Sequence, residues 1–352
     1  MSVLKIIFIV LLFSFMVLFH ELGHFIFAKR SGIGILEFAV GMGPKIWSTK
    51  KGETEYSIRL IPIGGFVAMA GEDGAENDPE ETNMDSFGDK TIWQRVQTIA
   101  AGPIFNIILT VILLAGVFTY MGTPQTELAN VVKGTPAYEA GIEPGDKVVE
   151  IGGMEIKNWA DVSAAVDKSG NKKTEIVVDR DGKEKTFEIT PEKSKDNGYI
   201  LGIEAKMSRN PFTAIKNAVV STWQMSVQMV TFVVQLFTGN LPMKLTDAVG
   251  GPVAVVSVVN EASKVGVLNL IYVIAVLSLN LGILNLVPFP ALDGFRLLML
   301  LIEFLRGGKK LDPEKEGFVN MIGFAALMAF IVFITYNDIL KLIRYNLYRI
   351  NI

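Results

Sequence analysis

Long apolar stretches constrain this sequence more than any other feature. A helix needs about 20 consecutive apolar residues to cross the roughly 30 Å hydrocarbon core of a bilayer. Five stretches approach or exceed that length: Ile6 to Ala28, Ile99 to Met121, Asn217 to Met243, Val265 to Leu292 and Gly317 to Asn337. The chain is therefore predicted to lie in a lipid bilayer and to cross it several times.

The composition supports this prediction and excludes other classes of protein. Of the 352 residues, 50% are hydrophobic and 20% are charged, whereas a soluble domain has about 25% charged residues. A formal net charge of -3 provides no basic field for a phosphate backbone, so no nucleic-acid partner is expected. Cysteine is absent, so any metal site is built from His, Asp and Glu.

The stretch from Asn217 to Met243 differs from the other four. Its polar residues Gln224, Gln228 and Gln235 fall on one side of a helix at 100° per residue. A crossing helix would bury this stripe, whereas a helix in the membrane interface turns it to water. The sequence therefore predicts four transmembrane helices and one interfacial helix.

Basic residues set the predicted orientation. Eight lie between the first two spans, which marks that connection as cytoplasmic. Residues 122–207 are then extracytoplasmic. Basic residues before the last span agree with this orientation, whereas those of the tail, Lys341, Arg344 and Arg349, do not. A secretory signal peptide is the other interpretation of the first stretch, but no small-x-small cleavage site follows it.

Residues 20–24 of the first span read His-Glu-Leu-Gly-His, the HExxH pattern. Positions i and i+4 share a helix face, so His20 and His24 can reach one zinc ion while Glu21 lies near its water. The alternative, two histidines packed inside a helix bundle, leaves Glu21 as an unpaired carboxylate at membrane depth, which is costly. We predict one zinc ion per chain with Glu21 as the catalytic base.

The third zinc ligand is predicted to be a carboxylate. A catalytic zinc ion usually has three protein ligands and one open position, and His20 and His24 are the only histidines of the chain. Asp293, at the end of the third span, is the candidate at membrane depth. Its alternative role is that of an N-cap for a helix over Gly294 to Leu305.

The interfacial helix and the zinc site depend on each other. His20 and His24 lie towards the cytoplasmic end of the first span, so Asp293 reaches them only if the third span also runs inward. The third span runs inward if Asn217 to Met243 does not cross the membrane. If that stretch crossed, Asp293 would lie at the opposite face.

Two segments between the spans are predicted to contain β-structure. Glu55 to Gly71 reads as two short strands around a loop at Gly64 and Gly65, and an acidic, mobile stretch, Glu72 to Asp89, follows. The extracytoplasmic segment is predicted to contain strands at 128–132, 147–151, 174–179, 185–190 and 199–204, and helices at 136–141 and 159–168.

These motifs together resemble the site-2 proteases, a family of intramembrane zinc metalloproteases. Residues 20–24 are similar to the family's HExxH, and residues 285–294 fit its NxxPxPxxLDG pattern. Further similar segments are Ile61 to Val67, Ala101 to Asn106, Gly134 to Asp146 and Gly250 to Val253. The resemblance is to the bacterial, regulator-of-sigma-E-protease-like branch with one extracytoplasmic PDZ domain.

The resemblance implies a fold class, a location and a division of the chain. The fold class is a polytopic α-helical membrane protein with four transmembrane helices, an inserted α+β PDZ domain and a membrane-associated β-hairpin. It would lie in the bacterial cytoplasmic membrane, with the PDZ domain outside and the active site towards the cytoplasm. The implied segments are 1–30 (first span), 31–95 (loop with hairpin), 96–121 (second span), 122–207 (PDZ domain), 208–262 (interfacial helix and linker), 263–305 (third span with the LDG motif) and 306–352 (loop, fourth span and tail).

The resemblance also implies an activity. Asp293 is implied as the third zinc ligand, and the substrates are single-span membrane proteins, such as anti-sigma factors or leftover signal peptides, already cut by a separate first-site protease. The hairpin offers an edge strand to hold an unwound substrate. Asn285 and Asn106, with Gly64 and Gly65 of the hairpin, are candidate substrate-binding residues, although the two asparagines are equally suited to interhelical hydrogen bonds.

The chain departs from the family pattern at one point, and two other functions stay open. After Asp293 and Gly294 many members carry Gly and His, whereas this chain has Phe295 and Arg296. A non-enzymatic PDZ adaptor with a structural metal is one alternative, but a structural zinc needs four protein ligands. A metal transporter is the other, but the second and fourth spans offer few polar groups for a pathway.

Overall fold

The computed structural model describes residues 3–72, 85–194, 198–241, 245–310 and 312–350. Contacts divide the chain into two compact units, one comprising Met1–Leu114 and Val219–Ile352 and the other Ala115–Ala218. Most of the predicted acidic stretch falls in residues 73–84, outside the described residues.

The first unit is mainly helical and the second contains most of the strands. In chain order, the helices are α1 (Val3–Arg30), α2 (Ile92–Met121), α3 (Pro136–Ala140), α4 (Trp159–Ser169), α5 (Pro211–Thr238), α6 (Leu245–Ala248), α7 (Pro252–Val265), α8 (Val267–Asn285), α9 (Asp293–Leu305) and α10 (Pro313–Ile350). The strands are β1 (Ile35–Lys51), β2 (Thr54–Met69), β3 (Thr123–Val131), β4 (Lys147–Ile151), β5 (Met154–Glu155), β6 (Thr174–Arg180), β7 (Lys183–Ile189), β8 (Glu192–Lys193), β9 (Tyr199–Ile200) and β10 (Ile203–Ser208).

Four helices of the described residues are long and apolar enough to cross a membrane. They are α1, α2, α8 and α10, with candidate spans at Ile9–Arg30, Ile92–Met121, Val267–Asn285 and Lys315–Ile343. The chain is thus a multi-pass membrane protein with an inserted domain that contains a β-sheet, and that part of the predicted fold class is confirmed.

Glycines bring α2 close to both of its neighbours in the bundle. A Cβ on Gly23 of α1 would lie 2.7 Å from the carbonyl carbon of Ala101 on α2. A Cβ on Gly282 of α8 would lie 2.9 Å from Pro103 O and 3.0 Å from Asn106 Cβ, both on α2. Small residues let membrane helices approach this closely, so α2 packs against both α1, which carries the two histidines, and α8, which ends eight residues before Asp293.

The hairpin differs from the prediction. The unpredicted strand β1 lies between two arms of β2: Glu37 to Val40 pair with residues 65–68 on one side and with residues 55–58 on the other. The turn between β1 and β2 falls at Gly52, whose φ is +65°. β2 reverses direction between Ile58 and Gly65, a stretch that includes Gly64 at φ +78°, because residues 55–58 and 65–68 pair with β1 in opposite directions.

The hairpin reaches membrane depth beside α1. Ser14 lies six positions before His20 on α1, and its hydroxyl donates a hydrogen bond to the carbonyl of Pro62 on β2. From there β2 runs past Gly65 and Val67, which pair with Val40 and Phe38 of β1. In the described residues no strand pairs with the other edge of this part of β2, so it is a free edge.

The inserted unit has its own hydrophobic core. Its main sheet has the order β10-β3-β4-β6-β7, with β5 paired to β4. The buried core residues include Leu128, Ile151, Val166, Ile176 and Val178, contributed by the sheet and by α4. The predicted strands and helices of this segment match the observed ones within a few residues, with the addition of the two-residue strands β5 and β8.

Helices α5 and α7 lie between the inserted unit and the third span in the sequence. Helix α5 is 28 residues long but is not among the four helices that meet the length and hydropathy of a span. Residues 208–262 were expected to contain the interfacial helix and a linker, and the structure has the helix α7 at Pro252–Val265. The carboxylate of Asp338 on α10 accepts a 3.0 Å hydrogen bond from the Ala254 backbone N–H in the first turn of α7, which supplies a cap that Gly251 lacks.

Candidate metal centre

Helix α1 carries both histidines on one buried face. The side chains lie one helical turn apart, and His20 and His24 are 5% and 6% exposed. Their Nε2 atoms are 3.2 Å apart. Two imidazole nitrogens therefore point at one position inside the bundle.

Asp293 brings a carboxylate oxygen to the same position. Its Oδ2 lies 3.1 Å from His20 Nε2 and 3.5 Å from His24 Nε2. In the described residues these are the three side chains that form a potential metal-binding group, with ligand atoms within 4.8 Å of one another. Leu292 occupies the N-cap position of α9, and Asp293 is the first helical residue, so Asp293 does not act as the N-cap.

The three atoms fit a zinc ion. Bonds of about 2.1 Å to a tetrahedral zinc place neighbouring ligand atoms about 3.4 Å apart, and the three separations here are 3.1, 3.2 and 3.5 Å. Asp293 Oδ2 is buried and has no hydrogen-bond partner in the structure. A buried oxygen without a donor is what a ligand atom presents to a metal.

Residues of α2 orient both imidazoles. His24 Nδ1 lies 2.9 Å from the carbonyl oxygen of Thr98, which fixes Nδ1 as the protonated nitrogen and leaves Nε2 for a metal. The amide of Asn106 lies 3.3 Å from His20 Nδ1. Asn106 is 0% exposed and its Oδ1 has no partner. If the amide is oriented with Oδ1 towards His20, Oδ1 accepts a hydrogen bond from the His20 Nδ1–H.

The other predicted binding residues lie at different distances from the metal position. Asn285, the last residue of α8, places Nδ2 3.3 Å from His20 Nε2. A Cβ on Gly65 would lie 4.0 Å from Glu21 Cγ, which puts this part of β2 beside the predicted base. Gly64 faces the side chain of Met42 instead.

The sequence interpretation named Asn106 but missed that it belongs to a stripe of small and polar residues on α2. Thr98, Gly102, Asn106 and Thr110 follow one another at intervals of four, and each contacts a neighbouring element. The Thr110 hydroxyl donates a 3.0 Å hydrogen bond to the carbonyl of Ala275 on α8. A Cβ on Gly102 would lie 2.6 Å from His24 Cε1. This four-residue spacing was the available signal.

A cavity of about 700 Å³ opens beside the three ligand atoms. Glu21 lines one side of this cavity, as does Val67 of β2. Arg296, one turn after Asp293, lines the cavity and forms an ion pair with Glu72, just after β2. The full lining is His20, Glu21, His24, Phe66, Val67, Ala68, Met69, Glu72, Ile99, Ala291, Leu292, Asp293, Arg296, Glu316, Gly317 and Asn320.

Comparison with known proteins agrees with this geometry. The family model described as peptidase family M50 matches residues 8–330. The regulator of sigma-W protease RasP of Bacillus subtilis is 34% identical over 95% of this chain and 97% of its own length. The zinc metalloprotease RasP of Bacillus licheniformis is 35% identical over 95% and 98%, and a putative zinc metalloprotease of Clostridium acetobutylicum is 35% identical over 96% and 98%.

The fold and the metal centre thus define a membrane-embedded zinc metalloprotease. The chain belongs to peptidase family M50, the site-2 protease family. The predicted family, enzyme class and zinc cofactor are confirmed.

Proposed function

We propose that this protease cuts peptide bonds inside the transmembrane helices of single-span membrane proteins, as a late step of regulated intramembrane proteolysis. The observation that carries the proposal is the triangle of His20 Nε2, His24 Nε2 and Asp293 Oδ2, buried within the bundle of spanning helices. A metal centre at this depth acts on bonds that lie at the same depth.

The chemistry follows from the residues around the cavity. A bound zinc ion supplies a Lewis acid and lowers the pKa of its water towards neutrality. Glu21 lines the cavity beside both histidines, and we propose that it takes a proton from the attacking water and later delivers it to the leaving nitrogen. Asn285, close to His20 Nε2, is suited to hold a substrate carbonyl, whereas Asn106 positions His20.

The free edge of β2 gives this cavity a way to hold its substrate. Backbone groups of a helix are occupied by their own hydrogen bonds, so a transmembrane helix must unwind before it is cut. Phe66 to Met69 line the cavity, and in the described residues they pair with a strand, β1, along one edge. An unwound substrate strand added to the other edge would lie extended next to Glu21.

The substrate class rests on the relatives and on the inserted domain. The Bacillus subtilis relative is named as a regulator of sigma-W, which supports anti-sigma factors as substrates here, alongside leftover signal peptides. We assign the inserted unit as a PDZ domain that selects substrates already trimmed by a first-site protease. We place it outside the bacterial cytoplasmic membrane and the active site towards the cytoplasm, because the basic residues of segment 31–95 favour that orientation.

The adaptor alternative is disfavoured by the ligand count. A structural zinc site is closed by four protein ligands, whereas the described residues provide three at this position. The cavity beside them leaves room for water and substrate. An adaptor whose metal ion only stabilises the helix bundle needs neither water nor substrate beside that ion.

The test compares Glu21→Gln with the wild-type chain. The variant is expected to bind one zinc ion per chain but to lose cleavage of a tagged single-span membrane protein, because it lacks the base and retains the ligands. A His20→Ala, His24→Ala double variant is expected to lose the zinc. Full zinc occupancy in the double variant, or wild-type cleavage by Glu21→Gln, would contradict the proposal.

A further inference from the structure

Ala291 adopts a backbone conformation that is costly for a residue with a side chain. Its φ is +76°, and in the described residues only one other non-glycine residue, Asp181, has a positive φ. Such a conformation persists where the surroundings hold it in place. Asp181 lies in the turn between β6 and β7, whereas Ala291 lies two residues before Asp293.

Helix α10, the fourth span, supplies the contacts that hold Ala291. The side-chain Oδ1 of Asn320 accepts a 3.2 Å hydrogen bond from the Ala291 backbone N–H. Gly323 lies three residues further along the same helix face and packs against Pro290, the residue before Ala291. A Cβ on Gly323 would stand 2.8 Å from Pro290 O. The fourth span is thus in direct contact with the bend at Pro290 and Ala291.

This bend directs the chain towards the metal centre. Segment 286–290 leaves α8 next to Asn285, and the left-handed residue turns the chain into α9. A Cβ on Gly294 would overlap the carbonyl oxygen of Leu286, so the loop is also closed tightly at its start. If Ala291 relaxed to a negative φ, the following peptide units would rotate and carry Asp293 away from the two Nε2 atoms.

We propose that Asn320 is a positioning residue for Asp293. It holds Ala291 in the left-handed conformation, so the fourth span sets how closely the carboxylate approaches His20 and His24. The inference rests on the proposed role of Asp293 as a zinc ligand and adds a residue that no ligand motif includes. With this role for Asn320, the zinc affinity depends on the position of α10, a helix that provides none of the three proposed ligands.

The test measures zinc affinity by competition with a chelator in the purified full chain. Asn320→Leu removes the acceptor at similar volume and is expected to weaken zinc binding about 10- to 100-fold, the range found when residues that orient ligands are changed. Asn337→Leu is the matched control, because Asn337 lies on the same helix and donates only to its own helix at Phe333 O. That control is expected to keep the wild-type affinity.

A second variant tests the backbone argument and guards against simple misfolding. Glycine adopts a positive φ without strain, so Ala291→Gly in the Asn320→Leu background is expected to recover most of the lost affinity. No recovery in a double variant that inserts stably would overturn the role of Ala291.

Asp293→Ala separates this inference from the proposed function. If Asp293→Ala binds zinc like the wild type, the proposed metal site fails. If Asp293→Ala loses zinc while Asn320→Leu and Asn337→Leu both bind it normally, the metal site stands and the role of Asn320 is overturned.

Discussion

Gly102 of α2 lies directly against the imidazole of His24: a Cβ on Gly102 would stand 2.6 Å from His24 Cε1 and 2.8 Å from His20 Cε1. We expect Gly102→Ala to push both rings off the metal position and to weaken zinc binding by about 1–3 kcal/mol, the usual cost of overpacking. Zinc titration of the purified variant measures this.

Gly116 on the same helix is the matched control, because nothing lies within 4 Å of a Cβ there. Gly116→Ala is expected to leave zinc binding unchanged. Equal zinc affinity for both alanine variants would show that the contact with His24 does not constrain the metal centre.

Substrates that unwind easily are expected to be cut faster, because the free edge of β2 accepts an extended strand. Replacing a glycine by alanine at the cleaved position stabilises the substrate helix by about 1 kcal/mol and should slow cleavage about fivefold. The same replacement two turns away serves as the control. Identical rates for both substrates would argue that unwinding does not limit the reaction.

Helix α5 is expected to lie at the outer membrane surface. Val219, Trp223, Val230 and Phe237 line an apolar cavity together with Ile107, Val111 and segment 286–289. At 100° per residue the glutamine stripe falls on the opposite side of α5. An interfacial helix turns that side to water.

Cysteine labelling decides the topology of α5, since the chain has no natural cysteine. Lys216→Cys and Lys244→Cys are expected to react with an impermeant reagent from outside, and Lys309→Cys only after the cytoplasmic face is opened. Labelling of the first two from opposite sides would mean that α5 crosses the membrane.

Replacing Gly122 to Met207 by a flexible linker tests the proposed gating by the inserted domain. If the domain excludes bulky substrates, untrimmed substrates become cleavable. If it must capture a peptide, cleavage of trimmed substrates is lost. Unchanged rates for both, with the variant stably inserted, would remove the domain from substrate selection.

Asp146 makes the stability of the inserted domain sensitive to acid. Burial alone would raise its pKa, but hydrogen bonds from Arg180 and from the Glu143 backbone amide outweigh burial and hold the pKa below its ordinary value. A carboxyl with a lowered folded pKa stabilises the domain above the unfolded value of about 3.9 and loses that effect as the pH falls below it.

Asp146→Asn is therefore expected to lower the protection of the domain's backbone amides against hydrogen exchange at neutral pH. It is also expected to make that protection less dependent on pH. Removing the charge-assisted hydrogen bonds from Arg180 to Asp146 costs about 1.5–3 kcal/mol. Hydrogen exchange of the full chain between pH 3 and 7 measures both, and an unchanged acid dependence would assign the effect to other groups. Glu127→Gln, which affects an exposed pair with Lys206, is the control.

The three candidate metal ligands could be selected from the sequence because few residue types can bind zinc and this chain has few of them in the right place. With two histidines and no cysteine, few residues are available, and HExxH spacing places both histidines on one face. The roles of Thr98 and Gly102 depend on which face of α2 meets α1, and sequence spacing alone does not specify a partner helix. The position of Asn320 opposite Ala291 likewise depends on how a separate span packs.

The fold of the hairpin was harder to predict for a local reason. Gly64 and Gly65 carry a turn-like composition and β2 does reverse there, but its two arms pair with β1 between them and not with each other in the described residues. Residues 35–51 alternate poorly between apolar and polar positions, so their pattern does not indicate a strand as long as β1. The pairing of β1 with both arms of β2 therefore depends on contacts between separate segments, which the local pattern of residues 35–51 does not indicate.

The free edge of β2 also has a thermodynamic consequence for the resting protein. Any extended peptide that binds this edge favours the folded state by linkage. A non-cleavable strand mimic would raise the unfolding temperature of the protein, whereas a helical peptide of the same composition would not.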